Sequence, residues 1–354
     1  MSAVLEKITP SAAPPAVTEE RFVFTASGSE YFRIWIVNLL LTIVTLGVYS
    51  AWAKVRTHQY FYSNIRLAGS SFEYHGNPLA ILKGLLIGVA LLGGYQLALH
   101  LSPVAGFAMM GVMAALLPWL LWKSLQFALH NSSFRGIRFG FRGSLGGAYL
   151  NYLVLPIASV FTLGLLYPFV HQRIKRFQHT ESRYGDTFFS FDAKVGAFYK
   201  AYGHLIVLQI GGGIALGIAG AILGALLGWA GLGAKAGMIV PFILIYPYML
   251  CVTWAFMAVI QNLIWNHTQL GPHRFVSTMT WQGLMKLYVT NTLGMIFTLG
   301  LYIPFAHVRM VKYRLECTTL LVAGSLDDVS AVKGGEVGAL GDGVVDLAGI
   351  DLSL

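Results

Sequence analysis

The sequence predicts a polytopic, mainly α-helical membrane protein with internal repeats and short β-hairpins at the membrane face. Hydrophobic residues make up 56% of the 354 residues and charged residues only 11%, whereas soluble domains usually contain about 25% charged residues. Four apolar segments each exceed the roughly 20 residues that a spanning helix needs. A Thr-Leu-Gly pattern with an arginine nine residues after the glycine occurs three times. The composition therefore requires lipid as solvent, and the repeated spacing indicates copies of one unit.

The two ends of the chain differ from its apolar middle. Residues 1–20 are polar and proline-containing, which predicts a disordered leader and not a cleavable signal peptide. Residues 321–354 are glycine-rich and carry six acids and one lysine, a net charge of −5, which predicts a flexible acidic tail. The whole chain carries +9, so the rest carries +14. Residues 21–320 form the predicted multi-pass membrane domain.

The apolar segments follow the order A-B-C-A-B-C-A. The B–C pairs are plain spanning candidates with short turns, at about 79–100 with 104–129 and 205–229 with 238–264. The A segments lie at about 31–52, 149–170 and 286–307, and each contains one Thr-Leu-Gly. A phenylalanine precedes each threonine by 23 positions, at Phe22, Phe139 and Phe275. The predicted repeat units cover about 22–78, 139–195 and 275–320.

A second motif, a polar residue followed by glycine and phenylalanine, predicts β-hairpins between the apolar segments. Residues alternate with period two around each glycine. The four copies are Asn64-Gly69-Phe72, Asn131-Gly136-Phe139, Thr180-Gly185-Phe188 and Asn266-Gly271-Phe275. We expect these hairpins to pair into a small sheet on one membrane face. After Arg309 only traces of the motif remain, at Glu316–Thr319.

Basic residues flank every A segment on both sides, while the B–C turns carry almost no bases. The positive-inside rule then places both flanks of each repeat, and all hairpins, in the cytoplasm. This arrangement favours A segments that enter the bilayer and return, although seven straight spans remain the alternative. Glycine permits a turn, and threonine can satisfy freed backbone groups. The candidate helix breaks are Thr45, Gly47, Thr162, Gly164, Thr298 and Gly300.

Two sets of residues are candidates for binding. The first is each repeated arginine with the aromatic residue four positions later, on one helix face: Arg56 with Tyr60, Arg173 with Phe177, and Arg309 with Tyr313. These pairs either bind lipid phosphates or another anion, or act as interfacial anchors, which is the commoner role. The second set consists of intramembrane polar residues: Asn38, Gln96, Gln209 and Asn291. They line a pathway or, more commonly, form interhelical hydrogen bonds worth about 0.6 kcal/mol each.

Several classes of function are disfavoured. No acid lies at the middle of an apolar segment, as proton- and sodium-coupled carriers usually require. The ten histidines are scattered, and neither a hydrolase nor a phosphate-loop pattern occurs. We therefore expect no enzymatic activity, no metal and no cofactor. The bases follow the membrane edges, which indicates anionic phospholipid head groups as partners and not nucleic acid.

The stretch from Tyr31 to Asn38, followed by Thr45 to Arg56 and by Phe72 to Gly76, resembles the YjgN family. The resemblance covers about residues 21–320 and implies a bacterial inner-membrane protein of unknown function, with no catalytic residues to transfer. Two functions remain open. A transporter or channel-like protein for a small or lipid-like anionic substrate predicts a cavity near Gly47, Gly164 and Gly300. A scaffold that binds anionic lipid or a protein partner predicts a packed interior and an exposed cytoplasmic sheet.

Overall fold

The computed structural model describes residues 17–231 and 234–326, which are mainly helical. Four helices are long and apolar enough to cross a membrane: Pro78–Leu101, Pro103–His130, Val195–Trp229 and Ile243–Asn266. They coincide with the predicted B–C pairs, so this prediction is confirmed. Asn77 caps the first of these helices and Ser102 caps the second, and a proline at the start of each fits the helical backbone.

The described residues contain eleven helices and eleven strands. The helices are α1 Gly28–Val44, α2 Ser50–Ser63, α3 Pro78–Leu101, α4 Pro103–His130, α5 Leu145–Tyr149, α6 Leu155–Phe161, α7 Tyr167–Thr180, α8 Val195–Trp229, α9 Ala234–Asn266, α10 Trp281–Phe297 and α11 Ile303–Glu316. A π-helical turn, Leu150–Val154, joins α5 to α6. The strands are β1 Val17–Arg21, β2 Val23–Phe24, β3 Ile65–Leu67, β4 Ser70–Tyr74, β5 Ser132–Phe134, β6 Ile137–Phe141, β7 Ser182–Tyr184, β8 Thr187–Phe191, β9 Thr268–Leu270, β10 His273–Ser277 and β11 Thr318–Ala323.

All four predicted hairpins form, but they belong to one closed sheet and not to a small open one. The strands pair antiparallel in the order β1-β11-β10-β9-β8-β7-β6-β5-β4-β3-β2. The two edge strands, β1 and β2, are separated in the chain by Phe22 alone. Chain continuity therefore closes the sheet into a barrel, which leaves few unpaired edge groups.

Three boundaries predicted from the sequence are corrected by this closure. The hairpin expected to have decayed after Arg309 is instead the regular strand β11, paired with both β1 and β10. Residues 17–20 belong to the paired strand β1 and not to a disordered leader. Residues 321–323 belong to β11 and not to a flexible tail. The two chain ends thus supply the two strands of a fifth pair. Residues 1–16 and 327–354 lie outside the described residues.

The barrel interior is filled by apolar side chains from every strand pair. Phenylalanines on the second strands lie opposite large residues on the following first strands: Phe72 opposite Phe134, Phe139 opposite Tyr184, Phe189 opposite Leu270, and Phe275 opposite Leu320. With Phe22 and Leu67 they form a single hydrophobic cluster. The Tyr184 hydroxyl donates a hydrogen bond to the Phe134 carbonyl at 2.9 Å, so its polar end is satisfied.

The helices form a ring on the barrel. Helices adjacent in the chain pack side by side, and α11 packs on α1; among the described helices no pair makes a comparable contact across the ring. Outside the barrel, the buried apolar residues form five separate clusters, and four of them include the last residue of a strand: Phe24, Tyr74, Phe141 and Phe191. The packing is therefore concentrated where the helices meet the sheet.

Each A segment is broken by a turn into two helical arms, and no single helix covers any of the three ranges given above. In the second segment the first arm comprises α5, the π-helical turn and α6. We call these three segments the TLG hairpins: α1–α2, α5–α7 and α10–α11. Each follows one strand of the barrel and precedes the next, so both ends of every TLG hairpin lie at the sheet. In the second hairpin the π-helical turn precedes Pro156, which has no N–H for the usual helical bond.

Candidate functional site

The turn of each TLG hairpin has the same backbone geometry. The leucine has φ of 50–52° and the glycine has φ of 82–93°, in Leu46-Gly47, Leu163-Gly164 and Leu299-Gly300. A positive φ at two consecutive residues reverses the chain and is readily adopted by glycine. The glycine N–H donates to the carbonyl five residues earlier at 2.8–2.9 Å, which satisfies a helix-terminal acceptor.

The threonine of each turn connects the two helices. The Thr45 hydroxyl donates to the Leu41 carbonyl at 2.7 Å and accepts from the Tyr49 N–H at 2.9 Å. Thr298 makes the same pair of bonds, to Gly294 and from Tyr302, and Thr162 bonds to Ser159 and accepts from Leu166. Threonine thus satisfies backbone groups that the break would leave unpaired.

The third TLG hairpin brings four polar residues together, of which Arg309 and Asn291 were candidates from the sequence. Arg309 Nη1 donates to Asn291 Oδ1 at 2.8 Å and to the Tyr302 hydroxyl at 3.0 Å, while its Nη2 donates to Thr290 Oγ1 at 3.0 Å. The Asn291 amide donates back to the Ala306 carbonyl at 3.4 Å. This network joins α10 to α11, and charge-assisted bonds of this kind are among the stronger ones.

The first TLG hairpin contains a longer version of the same network. Arg56 Nη1 lies 3.5 Å from Asn38 Oδ1 and 3.1 Å from the Tyr49 hydroxyl. Asn38 is buried, and its amide nitrogen lies 3.5 Å from the Ala53 carbonyl. Arg56 itself is exposed, so much of its guanidinium faces outward.

The second TLG hairpin lacks this network. Leu155 and Leu166 occupy the positions that asparagine and tyrosine hold in the other two hairpins, counted from the threonine. Arg173 instead lies over the Phe169 ring, with its Cζ 5.9 Å from the centroid.

The aromatic residues four positions after the arginines contact the beginning of the first helix in each TLG hairpin. The Tyr60 hydroxyl bonds to the backbone of Ser27, with its N–H and its carbonyl both at 3.0 Å, and Tyr313 does the same at Thr280 with 3.1 Å. Burial, and to a smaller extent the Glu30 carboxylate, raises the pKa of Tyr60. Phe177 is buried against Phe141. These positions are therefore part of the helix packing, and head-group binding by the arginines stays a prediction.

A groove runs along the seam between α1 and α2. Its volume is about 260 Å³, slightly below the roughly 300–1,000 Å³ of common small-molecule pockets. It is lined by Trp35, Asn38, Leu39, Thr42, Ala53, Lys54 and Thr57, and most of the lining surface is apolar. Asn38 links this groove to Arg56. Lys54 is the one cationic side chain of the lining, and the Thr42 hydroxyl donates to the Asn38 carbonyl at 2.7 Å.

The remaining predicted residues lie elsewhere. Gln96 is exposed on α3 and Gln209 is partly exposed on α8. The turn leucines Leu46, Leu163 and Leu299 are 94–95% exposed, and a Cβ added at Gly47 or Gly164 would meet nothing within 4 Å. Among the described residues, the turn glycines thus lie at open tips and line no enclosed cavity. The described residues also contain no His, Cys, Asp and Glu group suited to a metal.

Sequence reasoning missed the residues that complete these sites. Tyr49 and Tyr302 occur four positions after their threonines, and this shared spacing would have identified them. Lys54 and Thr57 had no such signal, because only the packing of α2 on α1 brings them to the groove.

The chain matches a family described as bacterial proteins of unknown function, DUF898, over residues 19–347, which extends past residue 320 into the acidic tail. It is 34% identical over 142 residues to the inner membrane protein YjgN of Salmonella typhimurium strain LT2, covering 40% of this chain and 36% of that protein. It is 30% identical over 152 residues to YjgN of Escherichia coli O157:H7 and of strain K12, covering 43% of this chain and 38% of each relative. The alignments thus span under two-fifths of these relatives. No solved structure matches the chain.

Proposed function

This chain belongs to the DUF898 family of bacterial proteins of unknown function, and we propose that it is a non-catalytic, lipid-binding structural protein of the bacterial inner membrane. Its relatives are named inner membrane proteins, and four of its helices have the length and composition of membrane spans. A channel or transporter for a small anionic substrate is the competing function.

The apolar filling of the barrel carries this proposal. Large side chains from all strand pairs meet inside it, including Leu67, Phe134, Tyr184, Leu270 and Leu320, each at most 5% exposed. Water enters a cavity only where polar partners are available, so an interior of this composition is dry. An ion or polar solute on the barrel axis would have to displace these packed rings. The filled barrel therefore blocks passage along its own axis, which favours a structural role over a channel that runs through the barrel.

The membrane arrangement follows from the TLG hairpins. Helix α1 has 17 residues, about 25 Å at 1.5 Å per residue, which falls short of a hydrocarbon core of about 30 Å. The turn leucines expose apolar side chains at each tip, which costs about 1.5–3 kcal/mol per residue in water but little in lipid. We infer that the three hairpins are internal repeats that dip into the bilayer from the cytoplasmic side and return, with the barrel in the cytoplasm.

Cysteine labelling tests this topology. Single cysteines at Arg138 and Phe188 lie on strands β6 and β8, on either side of the second TLG hairpin, and Cys251 and Cys317 are replaced by serine in the background. Both introduced cysteines should react with a membrane-impermeant maleimide only after the cytoplasmic face is opened. Labelling of the two positions from opposite sides would contradict the re-entrant arrangement.

The groove between α1 and α2 is the proposed lipid site. The Lys54 ammonium binds the head-group phosphate, while Trp35 and Leu39 contact the start of an acyl chain. The Thr42 hydroxyl keeps its hydrogen bond to the Asn38 carbonyl at 2.7 Å. The volume of about 260 Å³ suits a head group and not a whole lipid. The exposed Arg56 lies beside this groove and adds positive charge.

The binding test compares purified wild type with Lys54→Gln/Thr57→Val, using native mass spectrometry with added phosphatidylglycerol. We expect at least fivefold weaker binding in the double variant. Lys83→Gln removes the same charge near the start of α3, outside the groove, and should bind as wild type does. Unchanged binding in a folded double variant would remove the groove from the proposal. Anion flux through wild-type protein in proteoliposomes, above that of empty vesicles, would favour the transporter instead.

A further inference from the structure

One arginine occurs at the same rung of each strand pair of the barrel. In the four hairpins this rung lies one residue in from the turn. In the fifth pair, whose strands β1 and β11 are not joined by a turn, it is the rung at the end of β1. In every pair the arginine faces a residue of another type. The five pairs are Arg66 with Ser71, Arg138 with Ser133, Arg183 with Phe188, Arg274 with Gln269, and Arg21 with Thr319. We call these five arginines the arginine girdle. Five equivalent placements in one register indicate a continuous cationic belt.

The girdle lies on the outer face of the barrel. Leu67, Tyr184 and Leu320 point into the apolar interior, so the residues next to them in the strands point outward. Arg21, Arg66, Arg138 and Arg274 are accordingly exposed, while Arg183 is partly exposed.

The girdle has little neutralising charge around it. Burial, followed by the neighbouring Arg142, lowers the pKa of Arg183, which shows like charges in proximity. Arg138 Nη1 lies 3.0 Å from His130 Nε2. Within the described ranges, no carboxylate forms an ion pair with any girdle arginine. Two acids share the outer face with the girdle: Glu73, which pairs with His75 at 3.4 Å, and Glu19, which lies two residues from Arg21 on β1.

With the barrel in the cytoplasm, as proposed above, the girdle lies beyond the head-group layer of the membrane. Helices α3 and α4 each have one end at the sheet. Lys83 lies five residues from that end of α3 and Lys123 seven residues from that end of α4, so both lie about 8–10 Å from the sheet toward the bilayer. Such lysines mark the edge of the hydrocarbon by snorkelling. Arg66 lies three residues beyond α2 on the other side, about 7–10 Å further away. The distance from the two lysines to the girdle is therefore about 15–20 Å, which exceeds the thickness of a head-group layer, about 5–7 Å.

The chain itself supplies an anionic segment at the right place. Leu326, the last described residue, is 7% exposed and packs into the barrel cluster, after Gly324 turns the chain with φ of 81°. The next residues are Asp327 and Asp328, and residues 327–354 carry six acids and one lysine, a net charge of −5 against five arginines. These 28 residues extend to about 95 Å. Strands β1 and β2 share one position around the barrel. The ten positions, each about 4.8 Å wide, give the barrel a perimeter of about 48 Å.

We propose that the acidic segment 327–354 binds the arginine girdle of its own chain. Tethering at Leu326 gives the segment an effective concentration in the millimolar range. It would therefore exclude weaker anionic partners from the girdle and would stabilise the closed barrel. This proposal does not depend on lipid binding in the α1–α2 groove, and its failure would leave that groove untouched.

Lys333 provides a direct readout in the full-length protein, because endoproteinase Lys-C cleaves after lysine and not after arginine. The release of residues 334–354 is followed by mass spectrometry in uncharged detergent, for wild type and for Arg66→Gln/Arg138→Gln/Arg274→Gln. We expect cleavage at Lys333 to be at least fivefold faster in the girdle variant, and wild type in 0.5 M NaCl to behave similarly, since salt screens the contact.

Two controls separate docking from unfolding. Arg33→Gln/Arg176→Gln/Lys200→Gln removes the same charge outside the girdle and should cleave as wild type does. A charge-reversed variant combines Arg66→Glu, Arg138→Glu and Arg274→Glu with Asp328→Arg, Asp342→Arg and Asp346→Arg. It should restore the protection of Lys333 from cleavage. Equal cleavage rates in wild type and the girdle variant would overturn the proposal. Protection seen only in nanodiscs with phosphatidylglycerol would also overturn it, because the girdle would then bind the membrane.

Discussion

The Arg309 network should contribute more to stability than its counterpart at Arg56, because its bonds are shorter. In the third TLG hairpin Arg309 Nη1 lies 2.8 Å from Asn291 Oδ1, whereas Arg56 lies 3.5 Å from Asn38 Oδ1, at the outer limit of a hydrogen bond. Replacing Asn291 by leucine removes the acceptor but keeps the number and branching of the side-chain heavy atoms. Replacing Asn38 by leucine makes the same chemical change at the weaker site.

The expected magnitudes follow from these distances. A hydrogen bond to a charged group contributes about 1.5–3 kcal/mol, and the loss of the long Asn291–Ala306 bond adds a few tenths. Burial of leucine, together with the two remaining Arg309 bonds, offsets part of this loss. We therefore expect Asn291→Leu to cost about 2 kcal/mol, and Asn38→Leu less than about 1 kcal/mol.

Reversible unfolding by SDS in mixed micelles measures both costs on purified protein. A double-mutant cycle of Asn291→Leu with Arg309→Met isolates the pair, and we expect a coupling of about 1–2 kcal/mol. The second TLG hairpin offers a matched control, since Leu155→Met changes the equivalent position without any network and should cost under about 1 kcal/mol. Equal costs at Asn291 and Asn38, or a coupling near zero, would refute this reasoning.

Three further outcomes are expected. Gly47→Ala should destabilise by about 1–2 kcal/mol, because φ is 93° there with open space around the Cα, whereas Gly146→Ala on a helix should be neutral or stabilising in the same unfolding assay. Phe134→Ala in the barrel interior should cost about 3–5 kcal/mol and Phe188→Ala on its outer face under about 1 kcal/mol; similar costs would show that the interior is not the core. Burial, and to a smaller extent Lys175, lowers the pKa of His179 to about 3 from 6.5. Its neutral form is favoured by folding, so stability should be complete above pH 6.5 and should fall as the pH drops toward 3, by up to a few kcal/mol. His179→Gln should lose that dependence between pH 6 and 4 in thermal unfolding scans, and an unchanged profile would exclude His179 as its source.

The local motifs were predictable because short-range geometry determines them. The glycines at residues 47, 164 and 300 adopt a positive φ. The alternation of residues with period two around Gly69, Gly136, Gly185 and Gly271 produces β-hairpins, whose strands also pair with those of the next hairpin. The polar residues of the candidate site were partly predictable. Asn38 and Asn291 were recognised as polar residues inside apolar runs, but not as the partners of Arg56 and Arg309, since 18 residues and a chain reversal separate each pair.

Lipid as the solvent, the four spanning helices and the positions of the turns and hairpins could all be predicted, because hydrophobicity, length and backbone preference act over a few tens of residues. Closure of the sheet could not be predicted, because it depends on contacts between the two ends of the chain. Val17–Arg21 is a polar strand with no apolar alternation of its own, and it pairs with Thr318–Ala323 from the opposite end of the chain. Backbone hydrogen bonds do not depend on the pattern of side chains. The partner of an edge strand is therefore the strand with unpaired backbone groups that the folded ring of helices places next to it.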